Sequence, residues 1–300
     1  FSGTMRLSGA ESLCASSNIF VGVESALVVR PYLRDMTISE LTTILAAGMA
    51  TIASTVLALY VTFLREVLPT IAGHLISASV LSAPAAVVMS KLIVPETGKP
   101  KTLGLDVEPA YEREDSVIMA VINGAHGGLK LLAGIVALLL AFLGLLALVD
   151  LVLGWMGGNV NHWFGWNVQW SLSSLLGLIF YPFTLLIGVP PQDASAVARL
   201  IGERTVATEI VSYQHLAEML KSGALVHPRS AIIASYALCG FAHVASLAIF
   251  IGGVGALAPE RLKDLSRTGL RALLAATLAC LQTAAVAGAF VSQGSILLGR

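Results

Sequence analysis

Charge is missing from five long stretches of the chain. Residues 41–63, 71–90, 131–149, 230–259 and 272–299 contain no Asp, Glu, Lys or Arg. Each is long enough, or nearly so, to cross about 30 Å of hydrocarbon as a helix. Lipid offers no partner to free backbone groups, so a spanning segment is a helix or part of a closed barrel. These Leu-, Ala- and Val-rich runs lack the alternation a barrel strand needs. The pattern predicts an all-α polytopic membrane protein with about five full spans.

Two segments depart from that pattern. Between 171 and 216 an apolar arm of about 18 residues stops at Pro190-Pro191, and a second arm carries Asp193, Arg199, Glu203, Arg204 and Glu209. Two prolines remove donors and bar the α region before them, so the chain is expected to turn there. A polar arm at membrane depth must be buried in protein or line a cavity, which predicts a re-entrant hairpin. Residues 1–34 have a similar shape: Ser2, Gly3, Ser8, Gly9, Ser12, Ser16, Ser17 and Asn18 lead into Gly22, Glu24 and the stop at Arg30-Pro31. They read as the remainder of a first hairpin.

Each hairpin precedes two spans, so the hydropathy repeats. Basic residues mark cytoplasmic loops. Arg30 and Arg34, then Lys91, Lys99, Lys101 and Arg113, then Arg261, Lys263, Arg267 and Arg271 flank the spans, whereas 157–170 has no Lys or Arg. Placing the three basic regions inside makes the first span of one half run outward and its counterpart run inward. Inverted repeats with broken helices characterise many secondary transporters, whose sites lie near the midplane. The expected division is a first repeat over 1–94, a cytoplasmic connection with an interfacial helix over 95–130, a scaffold helix over 131–156, an outer loop and second hairpin over 157–229, and a second repeat over 230–300.

Composition agrees with lipid as the solvent. The 300 residues hold 18 acidic and 18 basic side chains, 56% are hydrophobic, and mean hydropathy is +0.83. Soluble domains are about a quarter charged. Zero net charge supplies no basic face for a nucleic acid. Cys14, Cys239 and Cys280 show no CxxC pairing and read as packing residues. The opening Phe-Ser-Gly reads as a cut through a longer protein rather than as a signal peptide.

Few residues are left to carry chemistry. Glu24 and Glu209 are the acids hardest to place on a surface, because a carboxylate at mid-membrane costs about 2.5–3.5 kcal/mol and so faces a cavity or a partner. The alternative is a hairpin tip that reaches the interface and is solvated there. Asn18, Val21, Thr51 and Ile52 combine an amide, a hydroxyl and backbone carbonyls that would suit a hard monovalent cation at an unwound helix end. Against this, membrane hydroxyls commonly bond back to their own helix. His243 stands alone in an uncharged run between Gly240 and Ser246, as a packing residue or as part of a substrate or proton path. The other histidines lack metal-ligand spacing, and Gly252-Gly253-Val254-Gly255 lacks the Lys-Ser/Thr of a phosphate loop.

Short motifs carry a resemblance along nearly the whole chain. Ser17-Asn-Ile-Phe-Val-Gly22, Arg30-Pro-Tyr-Leu33, His74-Leu-Ile-Ser-Ala-Ser79, Ser82-Ala-Pro-Ala85 and Val94-Pro-Glu-Thr97 occur in order. They are followed by Ile187-Gly-Val189, Arg199-Leu-Ile-Gly202, Tyr236-Ala-Leu-Cys-Gly-Phe-Ala242 and Ala258-Pro-Glu-Arg261. Together they resemble the transport core of the concentrative nucleoside transporter family, without its amino-terminal helices. The resemblance implies a homotrimeric, cation-coupled importer of nucleosides, multi-pass in the plasma membrane (the inner membrane if bacterial), with a transport domain moving as an elevator against a scaffold. It places sodium at Asn18, Val21, Thr51 and Ile52, and the nucleoside among Gly22, Val23, Glu24, Val56, Glu209, Phe241, His243 and Ser246, with Glu209 facing the ribose hydroxyls. No cofactor is implied beyond the coupling ion, sodium or a proton.

The departures concern the same places. The hairpin from Val23 to Val29 is one residue shorter than the family's usual form and lacks its Gln-Thr. Thr208-Glu209-Ile210 replaces Asn-Glu-Phe, and His243 replaces an asparagine that helps hold the ribose. A changed substrate or a partly proton-linked cycle would fit. Two rivals remain at this level: a paralogue that binds without transporting, and an intramembrane enzyme using Glu24, Glu209 and His243. No Ser/His or His/Asp pairing supports the second.

Overall fold

A computed structural model describes residues 5, 7–105, 107–109, 114–166 and 170–291. Ser2, Gly3, Arg113 and positions 292–299 of the last apolar stretch lie outside the described residues. Among the described residues the chain is helical, with no strand beyond an isolated antiparallel bridge between Ser8 and Leu103.

The first part of the chain runs α1 (Gly9–Ser17), two short turns α2 (Ser25–Val28) and α3 (Arg30–Leu33), α4 (Ile38–Ala50), α5 (Ser54–Leu64) and α6 (Ile71–Ile93). The starts are encoded locally. Ser8 and Glu11 form a capping box on α1, and Thr37 and Glu40 form one on α4, each satisfying two backbone N–H groups that a helix start leaves free. Ser8 Oγ also donates to Glu40 Oε1 at 2.6 Å, so the first turns of α1 and α4 are fastened together.

The expected span at 41–63 is two helices. Thr51 takes an extended conformation (φ −104°, ψ 164°) and ends α4, and α5 restarts after Ala53. The 230–259 span is also divided, into α11 (Pro228–Leu238) and α12 (Val244–Leu257), with residues 239–243 between them. Hydropathy cannot show such a break, because an unwound segment shielded by protein is as apolar as a helix. Among the described residues three helices remain long and apolar enough to span: Ile71–Ile93, Leu139–Phe164 and Pro259–Phe290.

The helix expected over 131–156 is much longer. α7 (Val117–Phe164) starts at Ser116, whose hydroxyl accepts the Met119 N–H, and stops at Gly165 in the left-handed region (φ 66°). It absorbs both the interfacial helix expected before 130 and the first residues of the outer loop, since His126, Asn159 and His162 are tolerated on its exposed surface. The most apolar 18-residue stretch of its 139–164 portion has no buried residue, and Leu140, Leu148, Leu151 and Trp155 stand exposed along the helix.

The 171–216 segment is three helices rather than two arms. α8 (Leu172–Leu186) turns at Gly188 to Pro190 into α9 (Pro191–Val206), against which it packs along its length. Gly177 and Gly202 permit the approach: a Cβ on Gly202 would lie 2.6 Å from the Gly177 nitrogen. A second turn at Ala207-Thr208 then sends α10 (Glu209–Lys221) off beside α9. Glu209 therefore opens a new helix instead of lying within the polar arm.

The last helix, α13 (Leu262–Phe290), packs against α4, α6 and α11 through Ala272, Ala275, Ala276, Ala279 and Ala284, all fully buried. Small side chains let helix backbones approach, which is the main packing term where lipid is the solvent. Gly48 is a tight case, lying under Phe250, whose Cε1 would be 2.1 Å from an added Cβ.

Candidate functional site

The two helix breaks meet at the centre of the fold. A Cβ added at Gly240, in the second break, would lie 2.9 Å from the carbonyl oxygen of Ala50, the last residue of α4. Glycine is needed there because backbone approaches backbone. The carboxyl ends of α4 and α11 thus converge, each presenting carbonyls that no longer have helical partners.

The first break is joined to the α1–α2 turn. The Ser54 hydroxyl donates to the Phe20 carbonyl at 3.0 Å, which places Asn18 to Gly22 beside Thr51 to Ala53. Asn18 is fully buried, with its Nδ2 toward the Cys14 sulfur, and its Oδ1 has no hydrogen-bond partner. Thr51 and Ile52 are buried; the Thr51 hydroxyl donates to the Ala47 carbonyl at 3.0 Å, keeping its lone pairs for another group. Val21 is partly exposed at the rim of this turn. An orphaned amide oxygen, a hydroxyl and unwound carbonyls are an oxygen donor set, which fits a hard cation better than a transition metal. Among the described residues no His/Cys/Asp/Glu group could hold a metal ion.

The second break carries the buried acid. Glu209 and His243 are buried, and His243 Nε2 stands 3.0 Å from Glu209 Oε2, neither atom having another hydrogen-bond partner. His243 is the N-cap of α12: its Nδ1 accepts the Ser246 N–H at 3.1 Å, while the Ser246 hydroxyl donates to the His243 carbonyl at 2.7 Å. A ring nitrogen that accepts an amide N–H carries no proton, so the imidazole is neutral with its proton on Nε2, aimed at the carboxylate. Tyr60, from α5, donates its hydroxyl to Glu209 Oε1. Tyr60 stacks on Tyr213, whose hydroxyl donates to the Ser235 carbonyl at 2.7 Å. Phe241 meets the His243 ring edge-on at 4.6 Å and Phe250 at 6.4 Å.

The structure brings Glu209, Phe241, His243 and Ser246 into one cluster, and Asn18, Val21, Thr51 and Ile52 into another. Val56, on α5 one turn before Tyr60, is partly buried, and Val23 rests against Gly253 of α12. Gly22 precedes Glu24, whose Oε2 would lie 3.3 Å from a Cβ on that glycine. Glu24 is exposed at the start of α2. It does not share the enclosure of Glu209. Tyr60 and Tyr213 are not legible in the sequence as site residues; Tyr60 sits unmarked in an apolar run.

Residues 74–288 match the family model for the carboxyl-terminal part of Na+-dependent nucleoside transporters. The chain belongs to the Na+-dependent nucleoside transporter family. Within that family it is 42% identical to mouse solute carrier family 28 member 3, over 95% of this chain and 41% of the relative. The solved inward-facing, substrate-bound structure of CNTnw is 37% identical with a TM-score of 0.75, covering 96% of this chain and 66% of CNTnw. A doubly substituted CNTnw in an outward-facing state gives a TM-score of 0.80 at 37% identity, covering 94% and 66%. The chain thus spans about two fifths of the length of the mouse relative and two thirds of CNTnw. Family membership and three long apolar helices make it a multi-pass membrane protein.

Proposed function

We propose that the chain is the transport core of a secondary active transporter that carries a nucleoside, or a nucleoside-like solute, inward together with a sodium ion. The observation that carries this reading is the buried Glu209 carboxylate, held between the Tyr60 hydroxyl and the neutral His243 ring at a helix break. A carboxylate has four acceptor directions, so two neighbouring ribose hydroxyls can donate to it. Phe241 and Val56 supply apolar surface nearby, and Gly22, Val23 and Glu24 close the opposite side from the first turn. His243, as a donor where relatives use an amide, would favour a solute with an acceptor beside the ribose.

The cation belongs at the first break, held by Asn18 Oδ1, the Thr51 hydroxyl and the carbonyls of Val21 and Ile52. Sodium there would balance the converging helix ends and order the α1–α2 turn that carries Glu24. Binding of one partner then favours the other, as coupling requires. One charge moving down 100 mV contributes about 2.3 kcal/mol, roughly a fiftyfold accumulation. Protons remain an alternative coupling ion.

In this reading α1–α6 and α9–α13 are inverted repeats, the turns at 18–24 and 207–208 are tips of re-entrant hairpins, and α7 is the scaffold against which the rest moves. The exposed apolar face of α7 serves lipid and a trimer axis, in the plasma membrane. Uptake of radiolabelled uridine into vesicles containing the full-length protein tests the proposal, with sodium, with a proton gradient, or with neither. Uptake above background under sodium supports it; equal uptake in all three conditions overturns coupling.

A further inference from the structure

Arg204 has no place in that account. It lies in the last turn of α9 and is the largest fully buried side chain among the described residues. Its Nη1 donates to the Ala237 carbonyl at 2.7 Å, while Nε and Nη2 find no oxygen acceptor. Among the described residues no acid pairs with it. A buried, permanently charged guanidinium needs compensation.

Its surroundings supply it. Ala237 belongs to the last turn of α11, whose free carbonyls form the negative end of that half-helix. The Cys280 thiol, beside the guanidinium, donates to the Cys239 carbonyl at 3.4 Å and lies 3.9 Å from the Ala50 carbonyl at the end of α4. Arg204 therefore stands where two helix carboxyl ends converge, on the side of the second break.

Its position in the second half corresponds to that of Asn18 in the first. Asn18 ends α1 shortly before Glu24 and the first break; Arg204 falls near the end of α9 shortly before Glu209 and packs on the second. We infer that Arg204 is a tethered cation: it supplies to the second break the positive charge that an exchangeable sodium ion supplies to the first, which limits the protein to one exchangeable cation. The inference rests on the transport reading, because it assigns the roles of the two breaks. Arg204 is a positioning residue here; it holds α11 and the 239–243 segment that carries His243, and need not touch the solute.

The test compares Arg204→Met with Arg204→Lys in detergent-purified full-length protein, by thermal unfolding across NaCl concentrations with choline chloride as the ionic-strength control. The unsubstituted protein is expected to show one saturable sodium-dependent rise in midpoint, and Arg204→Lys to keep that profile. Arg204→Met is expected to start lower and gain a second, weaker sodium-dependent rise absent from choline. Equal losses in Met and Lys variants, with no sodium recovery in either, would assign Arg204 to packing and overturn the inference. An unchanged Met variant would overturn it as well. Should the Met variant fail to fold, radioactive sodium retained by the unsubstituted protein decides the matter: one ion per chain supports the inference and two overturn it. Absence of a sodium response in the unsubstituted protein would refute the sodium assignment at the first break, while cation recovery of the Met variant alone still judges Arg204.

Discussion

The two helix breaks share a backbone design and differ in what fills them. At the second break both helix ends have resident partners: Arg204 lies at the carboxyl end of α11, and the amino end of α12 is capped by His243, which faces the Glu209 carboxylate. At the first break the carboxyl end of α4 has the uncharged Asn18, Thr51 and Cys280 beside it and, among the described residues, no charged side chain hydrogen-bonded to it, and α5 starts after Ala53 without a side-chain cap. A break whose dipoles are balanced by the protein's own groups is permanently formed. On the proposed reading, one left with an orphaned amide oxygen waits for an ion, and the difference separates a fixed binding element from an ion-dependent one, as coupled transport would require.

The comparison is sharpened most by removing the acid. Glu209→Gln keeps the volume but loses the charge that two ribose hydroxyls would use, at about 1.5–3 kcal/mol for each charge-assisted bond, so uridine affinity should fall roughly a hundredfold or more. Equilibrium binding checks this, with an unchanged unfolding midpoint as the control for folding. Unchanged ribonucleoside affinity would remove Glu209 from the site.

At the first break, Asn18→Ala removes the orphaned oxygen. The sodium concentration for half-maximal uptake should rise about tenfold for the loss of one ion–dipole contact worth about 1.5 kcal/mol. Sodium titration of uptake reads it, and nucleoside binding at saturating sodium should be spared. A smaller effect is expected from Tyr60→Phe, which deletes one donor to Glu209 and should weaken uridine binding about fivefold, near 1 kcal/mol. His243→Asn should change affinity less than it changes preference: competition among nucleosides should move toward the solutes of relatives that carry asparagine. An identical competition profile would make His243 a packing residue.

The smallest effect concerns an anchor outside the spanning helices. Asp193 accepts from the Ser230 hydroxyl at 2.6 Å and from the Val226 and His227 N–H groups at 2.9 and 3.0 Å, tying the start of α9 to the start of α11. Burial alone would raise its pKa, but these donors outweigh burial and hold the carboxyl below its ordinary value. A lowered carboxylate pKa contributes stability that is complete above the ordinary value and is lost as pH falls through the lowered one. Asp193→Asn should therefore cost about 1 kcal/mol near neutrality and flatten the fall in unfolding midpoint on acidification. A variant with the same acid sensitivity as the unsubstituted protein would exclude Asp193 as its source.

Charge-free stretches foretold α6, the middle of α7 and most of α13, because spans that meet lipid must be uniformly apolar. They missed the breaks at 51–53 and 239–243, whose cause is tertiary: Gly240 fits against the Ala50 carbonyl, and Ser54 bonds to Phe20 across the turn. Pro190-Pro191 correctly marked a turn. The turn at Ala207-Thr208 has no proline or glycine to mark it, so the sequence pattern puts Glu209 within an arm, whereas it opens a new helix. Among candidate residues, Glu209 and His243 stand out as polar groups in costly positions, and the motifs supply the proposed ion positions. Tyr60 and Arg204 did not stand out, since their importance lies in what they reach across the fold.

The most direct measurement is the parallel uptake of labelled uridine and labelled sodium into vesicles containing the full-length protein. The account predicts that both enter together, one sodium ion per nucleoside, and that Asn18→Ala loses both fluxes at sodium concentrations that saturate the unsubstituted protein only narrowly. Uridine entry that continues undiminished when choline replaces sodium and no proton gradient is present would contradict it.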